Sequence, residues 1–309
     1  MRAENNRTLE VSEAEAETLL ARCLHPDSPL TAADAEDSVL HGDCLELMPL
    51  LPRGFADLLI ADPPYNLSKD YHGEAFRHMP DADYAAYTEH WLDLALPLLK
   101  PGGSVYFCCD WRTSVVIAPL LQKRLKLRNR ITWQREKGRG AGRNWKNALE
   151  DVWFATVSDE YCFHPERVRL RRRVLAPYRE DGVPKDWEQT GEGRFRDTAP
   201  SNFWDDLTVP FWSMRENTDH PAQKPEKLMA RLILASSEPG DLVFDPFLGS
   251  GTSAVTARKL GRRFTGIERS GRYCAWAQKR LELAEEDRSI QGYEDGVFWE
   301  RNTAALMRK

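Results

Sequence analysis

The chain has 309 residues, of which 41% are hydrophobic and 29% are charged. These values are ordinary for a globular protein, and the length suits either one large domain with an insertion or two small domains. No apolar run approaches the roughly 18 residues of a membrane span, and residues 1–5 lack the apolar stretch of a signal peptide. We therefore expect a cytoplasmic protein with no membrane partner.

The six cysteines give no sign of a metal centre, because no two of them form a C-x-x-C pair. Cys108 and Cys109 are adjacent in a segment that is typical of a strand, where successive side chains point to opposite faces. Disulfides are rare in the cytoplasm, so we expect reduced thiols in the protein core. The sequence predicts no metal site.

The net charge of −5 and the pI near 5.9 are not those of a typical nucleic-acid-binding protein, but the charge is unevenly distributed. Residues 122–173 contain 15 Lys and Arg against 6 Asp and Glu, a local net charge of +9, whereas residues 1–37 contain 9 acids against 3 arginines. Salt screens remote charge over a Debye length of about 8 Å, so a local basic zone can still bind phosphates. A solvated charged surface is the alternative.

Strand and helix patterns alternate through the first 134 residues. An acidic segment with Ser12 as N-cap predicts a helix over residues 12–22, and apolar side chains at helical spacing predict one over residues 83–99. A further helix is expected over residues 115–121. Buried apolar runs predict strands that begin at residue 39 and that span residues 55–61, 104–109 and 129–134. The Lys-Pro-Gly-Gly sequence at residues 100–103 predicts the end of the second helix.

The alternation fades from residue 135 to about residue 219 and then returns. Its second part predicts helices and strands over residues 224–236, 241–244, 252–260, 263–267 and 273–284. The pattern therefore predicts a core divided by an insertion. The expected parts are an acidic N-terminal extension (1–37), a first core half (38–134), the insertion (135–219), a second core half (220–284) and a C-terminal tail (285–309).

The first informative motif is Asp62-Pro63-Pro64-Tyr65, directly after the apolar run at residues 58–61. It has the place of a loop at the carboxyl end of a buried parallel strand, where open α/β sheets bind their ligands. Consecutive prolines fix the backbone, so the carboxylate and the aromatic ring are held in place. A plain Asp-Pro turn after a strand is the alternative interpretation.

The second motif is Asp-Pro-Phe-Leu-Gly-Ser-Gly-Thr at residues 245–252, between a predicted strand and a predicted helix. Its glycines allow a ligand to approach the backbone, and the helix that starts at Thr252 offers unpaired N–H groups. Glu268 lies 17 residues after Gly251, close to the spacing of a ribose-binding carboxylate. Residue 254 is Ala, so the G-x-G-x-x-G pattern of dinucleotide sites is absent.

Together, and in this order, the two motifs resemble those of the β group of DNA amino-methyltransferases, the D-P-P-Y type that modifies adenine N6 or cytosine N4. The resemblance covers about residues 39–284 and implies a Rossmann-like, mostly parallel α/β methyltransferase fold that is circularly rearranged. It implies S-adenosylmethionine as cofactor and double-stranded DNA as partner. A cognate restriction endonuclease and a homodimer are further partners that it leaves open.

The resemblance makes residues 38–134 the catalytic half, with Asp62, Pro63, Pro64 and Tyr65 as catalytic residues. The lone pair of a base amine is delocalised into the ring, so the amine is a poor nucleophile. The Asp62 carboxylate and the Pro63 carbonyl can accept hydrogen bonds from both N–H groups and draw the nitrogen towards tetrahedral geometry. Tyr65 then offers its face to a base that has been flipped out of the duplex.

Residues 220–284 become the cofactor-binding half. The resemblance implies that Lys224, in the segment His-Pro-Ala-Gln-Lys-Pro at residues 220–225, contacts the methionine carboxylate, that Asp43 helps hold the adenine end and that Glu268 accepts the ribose hydroxyls. The expected cofactor-binding residues are Asp43, Lys224, Asp245, Phe247, Gly249, Ser250, Gly251, Thr252 and Glu268.

The basic insertion is the expected target-recognition region, because relatives in the β group have theirs at this place in the chain. Arginine can bind phosphate or make bidentate bonds to guanine, and both roles remain open for each residue. The expected DNA-binding residues are Arg135, Lys137, Arg139, Arg143 and Lys146.

The D-P-P-Y tetrapeptide favours methylation of adenine N6 in double-stranded DNA, because relatives with Ser in place of Asp62 mostly modify cytosine. Methylation of cytosine N4 is the alternative within the family. A non-catalytic DNA-binding protein with the same fold is the alternative of another class, and the presence of Asp62, Tyr65 and Glu268 argues against it.

Overall fold

The structure is a computed structural model that describes residues 5–135, 142–174, 178–190 and 193–300. Its helices are α1 Glu13–Leu20, α2 Ala32–Ala35, α3 Cys44–Leu47, α4 Asp81–Ala95, α5 Trp111–Arg124, α6 Glu226–Ser236, α7 Thr252–Lys259 and α8 Gly271–Glu286. The strands up to the middle of the chain are β1 Ser38–His41, β2 Ala56–Ala61, β3 Lys69–Tyr71, β4 Glu74–Phe76, β5 Leu99–Cys109, β6 Lys126–Gln134, β7 Leu149–Thr156 and β8 Leu170–Arg173. The later strands are β9 Arg179–Glu180, β10 Val183–Pro184, β11 Glu188–Thr190, β12 Gly193–Thr198, β13 Phe203–Trp204, β14 Leu242–Asp245, β15 Arg263–Glu268, β16 Tyr293–Glu294 and β17 Val297–Trp299.

An eight-stranded sheet organises the fold, in the order β1-β15-β14-β2-β5-β7-β6-β13. All neighbouring pairs are parallel except those of β7, which runs antiparallel to both β5 and β6. The central neighbours β2 and β14 come from opposite halves of the sequence. The expected mostly parallel and circularly rearranged α/β sheet is therefore confirmed.

Alternating side chains of the central strands fill two cores, one on each face of the sheet. In β5, Tyr106 and Cys108 belong to one core, and Phe107 and Cys109 belong to the other. The first core also contains buried apolar residues of α6, α7 and α8, and the second contains those of α4 and α5. Helices thus cover both faces, which is why the central strands are apolar throughout.

The predicted helix does end before residues 100–103, but these residues lie within β5, which starts earlier than the predicted strand over residues 104–109. The preceding helix α4 ends at Ala95, and a 3₁₀ turn over Leu96–Leu98 brings the chain into the strand. Proline and glycine are tolerated here because this end of the strand is exposed, with residues 101 and 102 open to solvent.

The range 135–219 contributes to the core as well as to an insertion. Strand β7 lies between β5 and β6, and the two residues of β13 extend the central sheet beyond β6. The sequence did not identify β7 as a core strand, because its pattern follows a long basic segment with no helix before it. The part of this range outside the central sheet is correspondingly smaller than expected.

A second sheet joins the insertion to the C-terminal tail. It has five strands in the order β11-β12-β8-β17-β16. Phe298 is fully buried and Trp299 is 8% exposed, so the tail is held by packing as well as by strand pairing. Among the described residues, no helix is long and apolar enough to cross a bilayer.

Candidate active site

The two motifs meet because their strands are neighbours. Val243 of β14 pairs with Leu58 of β2, and Phe244 pairs with Leu59. The strands are parallel, so the Asp-Pro-Pro-Tyr segment and the glycine loop leave the sheet at the same edge. Between them lies a cavity of about 470 Å³. This is the topological switch point at which open α/β sheets bind their ligands.

Glu268 and Gly249 form one wall of this cavity. The Glu268 carboxylate accepts hydrogen bonds from the backbone N–H of Gly249 at 2.8 Å and of Ser270 at 2.7 Å. Burial raises the pKa of Glu268 above its ordinary value. Gly249 has a φ of +57°, and a Cβ atom there would lie 3.2 Å from the His220 ring. The loop therefore needs glycine at this position.

Asp245 ends β14 and is 4% exposed. Its carboxylate accepts hydrogen bonds from the Phe247 backbone N–H at 2.9 Å and from the Ser253 hydroxyl. Burial raises the pKa of Asp245 to about 7, and the Asp62 and Glu268 carboxylates act in the same direction. A cation bound in the cavity would favour the ionised form of this carboxyl group.

Gly251 packs the glycine loop against α8. Its φ is +86°, and a Cβ atom would lie 2.7 Å from the Ala277 side chain on α8. The buried Arg280 of the same helix donates hydrogen bonds to the Ser250 carbonyl at 2.8 Å and to the Thr252 hydroxyl at 3.0 Å. Sequence reasoning did not identify Arg280, although a charged side chain among the apolar positions of an amphipathic helix is a signal for such a role.

A charged cluster occupies the other end of the cavity. The Lys224 ammonium lies 2.6 Å from an Asp62 oxygen and 3.5 Å from a Glu150 oxygen. The Tyr65 hydroxyl lies 3.0 Å from Asp62 and 3.2 Å from Glu150. Arg135 forms an ion pair with Glu150. Two carboxylates and two cations are thus gathered around one phenol.

The charges of this cluster stabilise one another. Burial opposes the charged form of Lys224, but the Asp62 and Glu150 carboxylates outweigh it and leave the pKa of Lys224 above its ordinary value. Burial likewise opposes ionisation of Glu150, but Lys224 and Arg135 leave its pKa below the ordinary value. Burial and both carboxylates raise the pKa of the Tyr65 phenol well above its ordinary value. Tyr65 is therefore a neutral hydrogen-bond donor.

The β3–β4 hairpin and the start of α8 close one side of the cavity. Lys69 donates a hydrogen bond to the Pro221 carbonyl at 3.0 Å, and a His72 ring nitrogen lies 2.8 Å from the Tyr273 hydroxyl. Burial, followed by the charge of Lys224, lowers the pKa of His220 to about 3. His220 is therefore a neutral ring that packs between the hairpin and the glycine loop.

The residues around the cavity fit S-adenosylmethionine. The buried carboxylate of Glu268 would suit ribose hydroxyls, and Asp62 and Asp245 are acidic groups that would suit a sulfonium. Apolar surface for an adenine ring comes from Leu45, Phe247 and Ile267 in the lining. The volume also lies within the roughly 300–1,000 Å³ of typical ligand pockets.

Comparison with known proteins identifies the family. The family model described as DNA methylase, of the N6/N4 type, matches residues 56–279. The chain belongs to the N6/N4 DNA methylase family. As such it is a methyltransferase with S-adenosylmethionine as its cofactor, which confirms the resemblance drawn from the two motifs.

Two relatives of the methylase are 30% identical to it. The type II methyltransferase M.HpaI of Haemophilus parainfluenzae matches over 250 residues, 80% of this chain and 74% of that protein. The DNA adenine methyltransferase YhdJ of Escherichia coli matches over 269 residues, 83% of this chain and 86% of that protein. The crystal structure of the M1.HpyAVI-SAM complex has a TM-score of 0.54 at 24% identity, covers 79% of this chain and 98% of that chain, and supports the fold.

Most of the predicted site residues of the methylase line the cavity between the two motifs. They are Asp43, Asp62, Pro63, Pro64, Tyr65, Arg135, Lys224, Asp245, Phe247, Gly249, Ser250, Thr252 and Glu268. Gly251 does not line it, since it faces α8 instead. Arg143 and Lys146 lie on an exposed segment outside the lining. Lys137 and Arg139 lie outside the described residues.

Two predicted site residues pair with side chains of the protein itself, and their predicted roles stay predictions. Lys224, expected to contact the methionine carboxylate, contacts Asp62. Arg135, expected to bind DNA, is paired with Glu150 inside the cavity. Sequence spacing could not anticipate either contact, because both depend on side chains from distant segments. Asp43 caps α3 by accepting a hydrogen bond from the Leu45 N–H at 2.9 Å, and its predicted contact with the adenine end stays a prediction.

One group of potential metal ligands lies at the opposite edge of the sheet. The Cys162 sulfur lies 2.9 Å from a His164 ring nitrogen, which lies 2.7 Å from a Glu238 oxygen. Glu238 also accepts two hydrogen bonds from Arg167, at 2.8 and 3.1 Å. The carboxylate is therefore already engaged by a guanidinium, and a network of hydrogen bonds and ion pairs accounts for the cluster.

Proposed function

We propose that this methylase transfers the methyl group of S-adenosylmethionine to N6 of adenine in double-stranded DNA after base flipping. The observation that carries the proposal is the meeting of Asp62 and Tyr65 with the glycine loop in one cavity. A relative of similar length, YhdJ, is named a DNA adenine methyltransferase, which supports adenine as the base.

Asp62 is suited to activate a base amine. It follows the fully buried Ala61 of β2, and Pro63 and Pro64 restrict its backbone. Lys224 and Tyr65 hold its carboxylate in a defined orientation, so the acceptor is in place before the substrate arrives. S-adenosylmethionine supplies an activated methyl group on sulfur. Asp62 accepts a hydrogen bond from one N–H of the amine and leaves the nitrogen lone pair free to bond to that methyl group. The bond between sulfur and methyl would break as the new bond forms, leaving a neutral thioether, and the methylated nitrogen would then lose one proton to solvent.

Tyr65 is suited to receive the flipped base. It remains neutral, and its hydroxyl is fixed by Asp62 and Glu150. An anchored ring stacks on a base with little further loss of side-chain freedom. Leu67, Phe76 and Met79 add apolar surface in the same cavity. Such a wall suits a planar base outside the duplex.

The exposed segment at residues 142–147 is suited to contact DNA. Strand β7 begins at the cavity edge of the sheet, and residues 142–147 lead into it. Arg143 and Lys146 are exposed there, and Trp145 is 92% exposed. Basic side chains can bind phosphates, and an exposed indole can stack on a base.

Nucleoside analysis tests the proposal directly. Duplex DNA is incubated with the methylase and S-adenosylmethionine, digested to nucleosides and separated by mass spectrometry. N6-methyladenine is the expected product, and the Asp62→Ala variant should give none. N4-methylcytosine without N6-methyladenine would overturn the choice of base and favour the family alternative. No modified base with any duplex would overturn the enzymatic function.

A cognate endonuclease, a homodimer and a cytoplasmic location remain proposals. The naming of M.HpaI as a type II methyltransferase supports the endonuclease. Light scattering of the protein with and without duplex DNA tests the homodimer. Protection of methylated DNA from a nuclease encoded beside this chain tests the endonuclease.

A further inference from the structure

Glu150 is a buried acid at the active site that the two motifs do not contain. It is the second residue of β7 and is 5% exposed. Because β7 is the antiparallel strand, its beginning lies at the edge where the parallel strands end. The reversed strand therefore brings Glu150 into the cavity beside the Asp-Pro-Pro-Tyr segment.

Both oxygens of Glu150 are engaged. One lies 3.2 Å from the Tyr65 hydroxyl and 3.5 Å from the Lys224 ammonium. The other is paired with Arg135. The first oxygen thus faces the same two donors that hold Asp62, since Lys224 and Tyr65 lie at 2.6 and 3.0 Å from Asp62. Two carboxylates therefore compete for one pair of donors.

This competition matters because each hydrogen bond that Asp62 accepts from Tyr65 or Lys224 weakens its carboxylate as an acceptor for the target amine. The Tyr65 hydroxyl has a single proton, so it can donate fully to only one carboxylate at a time. A donor that loses its partner inside a protein is costly, so Tyr65 and Lys224 can release Asp62 only if another acceptor is near. Glu150 is such an acceptor for both.

We propose that Glu150 is a positioning residue for methyl transfer, the alternative acceptor that lets Tyr65 and Lys224 release Asp62 to the target amine. The inference rests on the proposed function, since it assigns the step to the same reaction. Arg135 keeps the other Glu150 oxygen in place during the exchange. The charges of the two carboxylates and of Lys224 and Arg135 balance both before and after this exchange, so no net charge is left unpaired in the cavity.

The first test separates turnover from binding. Glu150→Gln keeps the shape of the side chain but removes the charge that attracts Lys224. Its kcat should fall about tenfold to a hundredfold, the range found for residues that orient a metal ligand through a hydrogen bond. The dissociation constants for S-adenosylmethionine and for duplex DNA should change less than about threefold, because Glu150 contacts neither in this mechanism.

Asp151→Asn is the matched control. Asp151 is the next residue of the same strand, is 7% exposed and accepts a hydrogen bond from the Thr132 hydroxyl at 2.8 Å, outside the cavity. Its loss should change thermal stability as much as the loss of Glu150 and leave kcat within about twofold. Equal losses of kcat in the two variants would overturn the inference.

A second test uses Tyr65. In the Glu150→Gln background the Tyr65 hydroxyl donates mainly to Asp62. Adding Tyr65→Phe removes this hydrogen bond, which competes with the target amine for the Asp62 carboxylate. The double variant should have a kcat about threefold or more above that of Glu150→Gln, a coupling that neighbouring residues can produce. A merely structural Glu150 would give no such rescue.

Three results overturn the inference alone: N6-methyladenine formation by Glu150→Gln within about twofold of the wild-type rate, a loss of ligand affinity that matches the loss of kcat, or a double variant no faster than Glu150→Gln. Glu150→Asp keeps the charge and should retain more activity than Glu150→Gln, which keeps the test decisive if the amide variant folds poorly. A wild-type protein that forms no methylated base overturns the proposed function and the inference with it.

Discussion

The Lys224 ammonium lies 2.6 Å from an Asp62 oxygen and connects the two halves of the active site. Lys224 comes from the segment before α6, whereas Asp62 follows β2. Both side chains are largely buried, with exposed fractions of 7% and 17%. A buried ion pair restricts both partners, and removal of either one leaves an uncompensated charge. The Asp62 carboxylate is therefore positioned by a side chain from the second core half.

We expect Asp62→Ala to abolish methyl transfer and to leave S-adenosylmethionine affinity within about fivefold, because Glu268 and the glycine loop remain intact. A radiolabel transfer assay measures the first quantity and calorimetry the second. Asp93→Asn is the control, since Asp93 pairs with Arg124 on the surface and should transfer normally. Near-normal turnover by the Asp62 variant would remove Asp62 from the catalytic residues.

Lys224→Met distinguishes the observed contact from the predicted one. If Lys224 acts through Asp62, kcat should fall about a hundredfold while cofactor affinity falls less than about fivefold. If Lys224 mainly binds the methionine carboxylate, affinity should fall further than kcat. We expect the first pattern, because both described carboxylate contacts of Lys224 are with Asp62 and Glu150 of the charged cluster. Calorimetry and single-turnover kinetics on one preparation give both numbers.

Much of the fold follows from local sequence. Strand β2 and the glycine loop could be predicted because an apolar run, a turn and a helical pattern are all local signals. The reversed strand β7 could not, since it follows a long basic segment with no helix before it. The tail strands β16 and β17 have only two and three residues, and β17 joins the second sheet by pairing with β8, which is remote in sequence. Strands that pair at a distance have weak local signatures, because packing decides them.

The site residues also differ in whether a local sequence signal identifies them. Asp62, Gly249 and Glu268 could be predicted because each belongs to a motif or lies at a characteristic spacing from one. Glu150 and Arg280 could not, because each is a single charged residue whose role appears only when distant segments fold together. Lys224 was identified as a site residue, but its contact with Asp62 depends on the same tertiary arrangement.

Cofactor binding should release a proton near neutral pH. Burial raises the pKa of Asp245 to about 7 from an ordinary value of 3.8, so the folded protein keeps this proton over a pH range in which the unfolded chain has lost it. The contribution of Asp245 to the free energy of unfolding therefore falls as pH rises from about 4 to about 7. A bound sulfonium favours the carboxylate and so expels the proton.

Calorimetry in buffers of different ionisation enthalpy measures this proton. Close to one proton should be released at about pH 6 and almost none at about pH 8.5. Asp245→Asn cannot release it and serves as the control. Proton release at about pH 6 that persists in this variant would assign the proton to another group.

DNA affinity should fall steeply with salt despite the acidic pI. Each phosphate contact contributes about 0.9 to the slope of log affinity against log salt, so Arg143→Gln with Lys146→Gln should flatten it by up to about 1.8. Arg124→Gln is the control, because Arg124 lies at the end of α5 and pairs with Asp93. An unchanged slope in the double variant would place residues 142–147 away from the phosphates.

Gly251→Ala should destabilise the fold by about 1–3 kcal/mol through strain and overpacking. The added Cβ atom would lie 2.7 Å from Ala277 and would push α7 away from α8, and the φ of +86° disfavours any side chain. Gly261→Ala isolates the second effect, because Gly261 has a φ of +73° with no atom within 4 Å of the added Cβ. Urea unfolding gives the loss in free energy of unfolding for each variant, and the difference between the two losses is the contribution of overpacking. A Gly251 variant that loses no more stability than the Gly261 variant would contradict the close approach of the glycine loop to α8.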